Sequence, residues 1–162
     1  MASEIEYRLA IVGPTNNVEV HGREGLRYCL RVAPTARSGL LGKQLALDLV
    51  DSHGQSALQI HRTRRQPFAR YSLIRADEEI GIVSCARLLQ HKYLVALATG
   101  PEWTIRMPLF SAHFAATADS EKSVRIQMLK ENLWAVLLGA GQDSPALLGS
   151  LGLVFRARWT SS

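Results

Sequence analysis

The run from Asp143 to Trp159 limits the fold more tightly than any other stretch of the chain. It opens as a helix does: Asp143 or Ser144 can cap the free amides of a first turn, and Pro145 suits a position that needs no donor. The apolar side chains that follow, Ala146, Leu147, Leu148, Leu151, Leu153, Val154 and Phe155, fall on every side of a 3.6-residue helix. No face is left for water, so a helix over about 144–158 has to be surrounded. At ~1.5 Å per residue it covers roughly 20 Å before Arg156 and Arg158, short of the about 20 apolar residues a bilayer crossing takes, so the surroundings are expected to be protein. A last strand over Leu151 to Trp159 competes, because Leu153, Phe155 and Ala157 alternate with Arg156 and Arg158.

Everything ahead of that run reads as short strands between turn residues. Ile5 to Val12, Val18 to His21 and Leu26 to Val32 come first, then a small-residue loop over Ala33 to Gly42. Leu45 to Val50 alternates with period two and returns through the turn residues Asp51 to Gln55 as Ala57 to Arg62. Arg70 to Arg75 and Ile80 to Leu88 flank the acidic turn Ala76 to Glu79; Lys92 to Ala98 and Glu102 to Met107 flank Thr99-Gly100-Pro101. A meander of Ala112 to Thr117, Ser123 to Met128 and Asn132 to Leu138 follows, turning at Ala118 to Lys122 and at Lys130-Glu131. About twelve antiparallel strands are too many for a flat open sheet, and a barrel of that size has a lumen wider than its own side chains fill. The expected fold is therefore mainly β: an antiparallel closed barrel around a buried hydrophobic C-terminal helix, one domain over 1–162. A two-sheet sandwich with a docked helix is the competing arrangement.

The start, Met1 to Glu6, carries two acids and no basic region, so neither a signal peptide nor a membrane span is expected. Cys29 and Cys85 are too few for a disulfide framework, lack metal-ligand spacing and are read as buried free thiols of a cytoplasmic protein.

The hairpin turn Leu49-Val50-Asp51-Ser52-His53-Gly54, the hairpin Tyr71-Ser72-Leu73-Ile74-Arg75 to Ile80-Gly81-Ile82-Val83, and Trp134-Ala135-Val136 with Asp143 and Leu147-Leu148 together resemble the tubby C-terminal-like superfamily, in its LURP-one-related and phospholipid scramblase-like branch. The resemblance spans roughly residues 20 to 158. It implies a twelve-stranded barrel around a hydrophobic C-terminal helix, and for tubby domains the holding of phosphoinositide headgroups by basic side chains. The scramblase-like calcium segment and cysteine cluster have no counterpart here, so no calcium site, lipidation or lipid scrambling is expected.

Charge points to one place. The net charge is +5, and residues 51 to 75 hold five Lys/Arg against one acid. Within them, His61 to Arg70 is read as a basic connection in which Arg62, Arg64, Arg65 and Arg70 converge on a phosphate, since guanidinium donates a fork of hydrogen bonds to phosphate oxygens. A solvated loop whose charges merely keep the surface soluble is the plain alternative. Gly39-Leu40-Leu41-Gly42-Lys43-Gln44 lacks the spacing and the Ser/Thr of a phosphate-binding loop, Gly149-Ser150-Leu151-Gly152 is not a nucleophile elbow, and the five histidines are scattered. No enzymatic motif, cofactor or metal site is expected. Phe68 could insert at a membrane interface or stack on a base, but nucleic acid is disfavoured because the basic residues are concentrated in one loop rather than spread over a face with several exposed aromatics. The expected function is non-enzymatic binding of an anionic ligand, a lipid headgroup or other phosphorylated group, in the cytoplasm or peripherally at a membrane surface. A protein-interaction or scaffold domain is the alternative.

Overall fold

The computed structural model describes residues 4–33, 38–39, 42–43, 46–64, 69–85, 92–98, 102–106, 113–118, 123–130, 132–139 and 144–161, without the side chains of 38–39, 42–43, 64, 113–118, 123 and 158–161. In chain order the strands are β1 (Glu4–Val12), β2 (Asn17–Gly22), β3 (Gly25–Val32), β4 (Ser38–Gly39), β5 (Gly42–Lys43), β6 (Ala46–Asp51), β7 (Ser56–Arg64), β8 (Arg70–Arg75), β9 (Glu78–Cys85), β10 (Lys92–Leu97), β11 (Trp103–Arg106), β12 (His113–Ala118), β13 (Ser123–Lys130) and β14 (Leu133–Gly139). One helix follows, α1 (Ser144–Ser161).

All strands except β4 and β5 belong to one antiparallel sheet, in the order β1-β14-β13-β12-β11-β10-β9-β8-β7-β6-β3-β2. β1 pairs with β14 from Glu4↔Gly139 to Ala10↔Leu133, and on its other edge with β2 from Arg8↔His21 to Val12↔Asn17, so the order returns on itself as a closed barrel. The mainly β fold with one C-terminal helix packed on the sheet is the one predicted. A sandwich would divide the strands into two sheets, whereas the pairings run without a break from β2 to β14. The competing last strand over Leu151 to Trp159 is replaced by helix, since a strand would leave half of its apolar side chains without a packed face.

Alternation decides which side chains enter the core. β14 reads half-buried, buried in strict turn, with Trp134, Val136 and Leu138 inside; Tyr93 and Val95 of β10, Val83 and Cys85 of β9, and Leu58 and Ile60 of β7 do the same. α1 fills the space these rows enclose. Gly149 lies against Leu58, Leu49 and Ile60, Gly152 against Leu30 and Val18, and Phe155 stacks on Trp134 with ring centroids 4.5 Å apart and planes 16° from parallel. The helix thus touches β2, β3, β6, β7 and β14. Ala146 to Phe155 is buried without interruption apart from the glycines' missing side chains, and each large side chain so placed contributes about 2 kcal/mol relative to exposure. The hydroxyl of Ser150, fully buried, donates to the Ala146 carbonyl at 2.7 Å, which is how a polar group is tolerated on such a helix. A Cβ on Gly149 would stand 2.7 Å from Leu58 Cδ2, so the absent side chain sets how near α1 comes to β7.

The turn at Asp51 to Gln55 forms as its residues suggest, whereas Asn17, Gly22, Gly25 and Ala118, expected in turns, are strand residues, and the expected turn residues 99–101, 119–122 and 131 lie outside the described residues. The Asp51 carboxylate accepts from the amides of His53 and Gln55, each at 2.9 Å, and Gly54 takes φ +81°. In the acidic turn only Ala76 and Asp77 turn the chain; Glu78 and Glu79 are already in β9, opposite Arg75 and Ile74. Lys130 ends β13 rather than beginning a turn, and the expected loop over Ala33 to Gly42 contains the small β4–β5 hairpin. Helix α1 runs through residue 161 rather than 158. The expected strand residues Leu45, Ala86 to Leu88, Met107 and Ala112 lie outside the described residues.

Two stability tests follow. Leu148 is fully buried, and Leu148→Asp should cost roughly 3–5 kcal/mol, since a carboxylate there has no partner to repay its lost hydration. Denaturant unfolding at an unchanged midpoint would rule out the enclosed helix. Ala76 and Asp77 have φ of 50° and 64°, a left-handed pair better suited to Asn-Gly, so Ala76→Asn with Asp77→Gly should stabilise by about 1 kcal/mol in the same assay.

Candidate functional site

An antiparallel barrel sends alternate strand ends to opposite rims, so register decides which charges become neighbours. The C-terminal ends of β1, β3, β7, β9, β11 and β13 share a rim with the N-terminal ends of β2, β6, β8, β10, β12 and β14. Arg31, Arg70, Lys92, Arg106 and Lys130 occupy that rim, Arg70 and Lys92 as the first residues of their strands and the others as the last or next to last. Among the described residues, no Asp or Glu does. The opposite rim carries Glu4, Asp51, Asp77, Glu78, Glu79 and Glu102, interspersed with Arg23, Arg27, Arg75 and Arg125. Of those acids, Glu4 pairs with Arg125, and Glu79 accepts from the Ser72 hydroxyl at 2.8 Å.

The four arginines singled out from sequence are distributed by this register. Arg62 does not belong to a solvated loop. It lies in β7, where it extends the inward row of Leu58 and Ile60 and is half-buried opposite Tyr71 of β8. Arg64 is the cross-strand partner of Arg70, with a register shift between Arg62 and Arg64, and the Arg70 side chain is exposed on the outer face. Arg62 and Arg70 therefore extend from opposite faces of the sheet. The Arg64 side chain and Arg65 lie outside the described residues.

A guanidinium not anticipated as part of this site comes from the helix to the neighbourhood of Tyr71, the cross-strand partner of Arg62. Arg156 is seven residues beyond Gly149, two turns on and on the same helix face, and Gly149 rests on Leu58 and Ile60 of the strand that carries Arg62. Arg156 is half-buried, and both arginines act electrostatically on the Tyr71 phenol. Burial pulls Arg156 below the ordinary guanidinium range, opposed by Tyr71. Burial likewise pushes the Tyr71 phenol up, more strongly than Arg62 and Arg156 pull it down, and it pushes Tyr93 up as well. Tyr71, Cys85 and Tyr93, all buried, form the wall of this mouth, where the Cys85 amide donates to the Ala69 carbonyl at 2.9 Å. Arg62 and Arg156 both engage further partners, and a guanidinium has five N–H donors to distribute among them. Chemically, the mouth can offer two cationic forks and a neutral phenol, with no general base beside them in the described residues.

Other surfaces are less focused. An open depression of 720 Å³ on the outer wall is lined by Glu4, Ile5, Glu6, Arg8, His21, Gly22 and Arg23, and within it Arg8 pairs with Glu6 at 4.0 Å. A smaller one of 190 Å³ lies between the starts of β7 and the β8–β9 turn. Among the described residues no three His, Cys, Asp or Glu side chains come together as a metal site, and no helix is long and apolar enough to cross a membrane. Both cysteines are free thiols; Cys85 is buried, whereas Cys29 is half-buried, with its pKa raised by burial and by Glu19.

Because burial holds Tyr71 and Tyr93 protonated beyond the range of an exposed phenol, the unfolded chain releases those protons first. Their contribution is complete below about pH 10 and declines as pH rises past it, each by up to about 1.4 kcal/mol per pH unit. Tyr71→Phe/Tyr93→Phe should flatten the alkaline loss of stability in urea unfolding between pH 9 and 11.5; an unaltered slope would place the cause elsewhere.

Compared with protein-family models, with curated proteins and with solved structures, the chain finds no match.

Proposed function

We propose that this protein is a non-enzymatic binding module whose basic rim takes an anionic ligand, a phosphorylated or lipid headgroup, and that its barrel and helix are of the tubby C-terminal-like kind. The observation that carries the reading is the sorting of charge: Arg31, Arg70, Lys92, Arg106 and Lys130, far apart in sequence, share one rim with the mouth that holds Arg62 and Arg156. Such a one-sided field concentrates anions at that end and orients the molecule toward them. β7 ends at Arg64 and β8 begins at Arg70 on this rim.

A lipid surface fits better than nucleic acid. Val32 and Leu129, each 40% exposed, stand beside Arg31 and Lys130 on this rim, the pairing of apolar and basic side chains that suits a headgroup layer. None of the exposed large apolar side chains among the described residues is aromatic, so there is no platform on which bases would stack.

Vesicle sedimentation tests this. Wild type should sediment with phosphoinositide-containing vesicles at 0.1 M salt, roughly, where screening still leaves contact attraction intact, and should be released as salt rises. Arg64→Ala/Arg65→Ala should weaken binding by about thirtyfold, at about 1 kcal/mol per basic residue. Equal absence of binding in both proteins would remove the hypothesis.

A further inference from the structure

We infer that the free edge at the start of β1 is a docking lane for the extended C-terminal tail of a partner protein, which adds as a strand beside Glu4 to Glu6 with its terminal carboxylate at Arg23. The lane lies at the other end of the barrel from the basic rim and does not depend on it. Toward β14, β1 is paired from Glu4 to Ala10, whereas its pairing with β2 begins only at Arg8↔His21. The Ile11 amide donates to the Asn132 carbonyl, on the β14 side, and neither ladder of β1 contains a bulge. By alternation, the backbone groups of the even-numbered residues point the other way, toward β2. Those of Arg8 and Ala10 find β2 there; Glu4 and Glu6 lie past its end, and each presents an N–H and a C=O to the open side. After Gly22 the chain turns away through Arg23 and Glu24 into β3, and the space it leaves is the 720 Å³ depression, with Glu4 to Glu6 along one side and Gly22 and Arg23 at its end. Donors and acceptors repeating at strand spacing select another extended backbone.

The occupant's chemistry follows from the shape of the lane and the charge at its end. A strand added beside Glu4 to Glu6 is collinear with β2 and meets Gly22 head-on, so the added chain has to stop there. Either terminus could stop, but an amino terminus would bring a cation to Arg23, which is exposed and has no acidic partner among the described residues. A carboxylate accepts the guanidinium's hydrogen bonds instead, and the tail therefore runs parallel to β1. Ile5, 46% exposed, continues the row of Tyr7 and Leu9, so the tail residue opposite it, next to the last, is apolar. A second copy of this chain fits poorly: two β1 edges paired about a two-fold axis would set Glu4 of one against Glu6 of the other, and like charges directly opposite repel.

The probe is a fluorescein-labelled hexapeptide, Ser-Thr-Val-Thr-Val-Ser, made with a free carboxylate and as its C-terminal amide, and titrated with the full chain by fluorescence anisotropy. Wild type should bind the acid about tenfold more tightly than the amide, the contribution of one charge-assisted hydrogen bond. In Arg23→Ala that difference should vanish while the amide binds as before. Glu6→Pro removes an N–H that lies outside both ladders, so it should leave the circular dichroism unchanged and abolish binding of both peptides. If Glu6→Pro fails to fold, hydrogen exchange of the Glu6 amide in wild type decides: addition of the acid peptide should slow it about tenfold, and unchanged exchange would overturn the lane. The proposal is also overturned if wild type binds acid and amide equally, if it binds neither, or if folded Glu6→Pro binds as wild type does. A dimer in sedimentation velocity that Glu6→Pro dissociates would give the edge to a second copy and overturn it as well.

Discussion

The rest of the structure depends on α1 having no polar face. An amphipathic helix would lie across a sheet and expose its other side, whereas one that is apolar all round is stable only when walls surround it. The strands answer this with uninterrupted inward rows, Tyr7, Leu9 and Ile11 on β1 and Trp134, Val136 and Leu138 on β14 among them. Wall and filling are mutually required, because the sheet's inner face would be as unsatisfied without the helix as the helix without the sheet. Polar groups survive inside only where they are answered locally, as Ser150 is. The Trp134 Nε1–H, buried without an acceptor among the described residues, is an exception, and its ring is held by the stack on Phe155.

Much of this was legible because it is periodic. The strands expected at Leu45 to Val50 and Arg70 to Arg75 and the turn chemistry at Asp51 to Gly54 rest on local residues, and the structure places β6 and β8 within a residue of those bounds. The boundaries that moved did so where pairing overrode composition. Glu78 and Glu79 look like turn residues, yet the left-handed Ala76-Asp77 pair completes the reversal by itself and the two glutamates extend the ladder.

The candidate site was legible only in part, for a different reason. A cluster such as Arg62 to Arg70 is visible because its members are neighbours in the chain. Which way each points is not, since that depends on where β7 ends, and Arg62 proved to be the last inward residue of a strand. Arg156 seemed to mark only where an apolar run stopped. That it acts on the same Tyr71 as Arg62 depends on the phase of a helix against distant strands, and the rim of Arg31, Lys92, Arg106 and Lys130 depends on the registers of the whole ring. Charge counted along the chain cannot anticipate charge sorted by topology.

The position of α1 also fixes an order of events in the making of the molecule. The ribosome delivers the walls first and the filling last: β1 finds its partner β14, from Glu4↔Gly139 onward, only when nearly the whole sheet has been synthesised, and residues 144–161 come later still. Until then the nascent chain holds an apolar inner face with nothing to cover it and a first strand with one edge unpaired, the kind of surface on which chaperones act. Closure of the barrel consequently awaits residues 144–161, and it is dominated by contacts between distant parts of the chain and correspondingly slow.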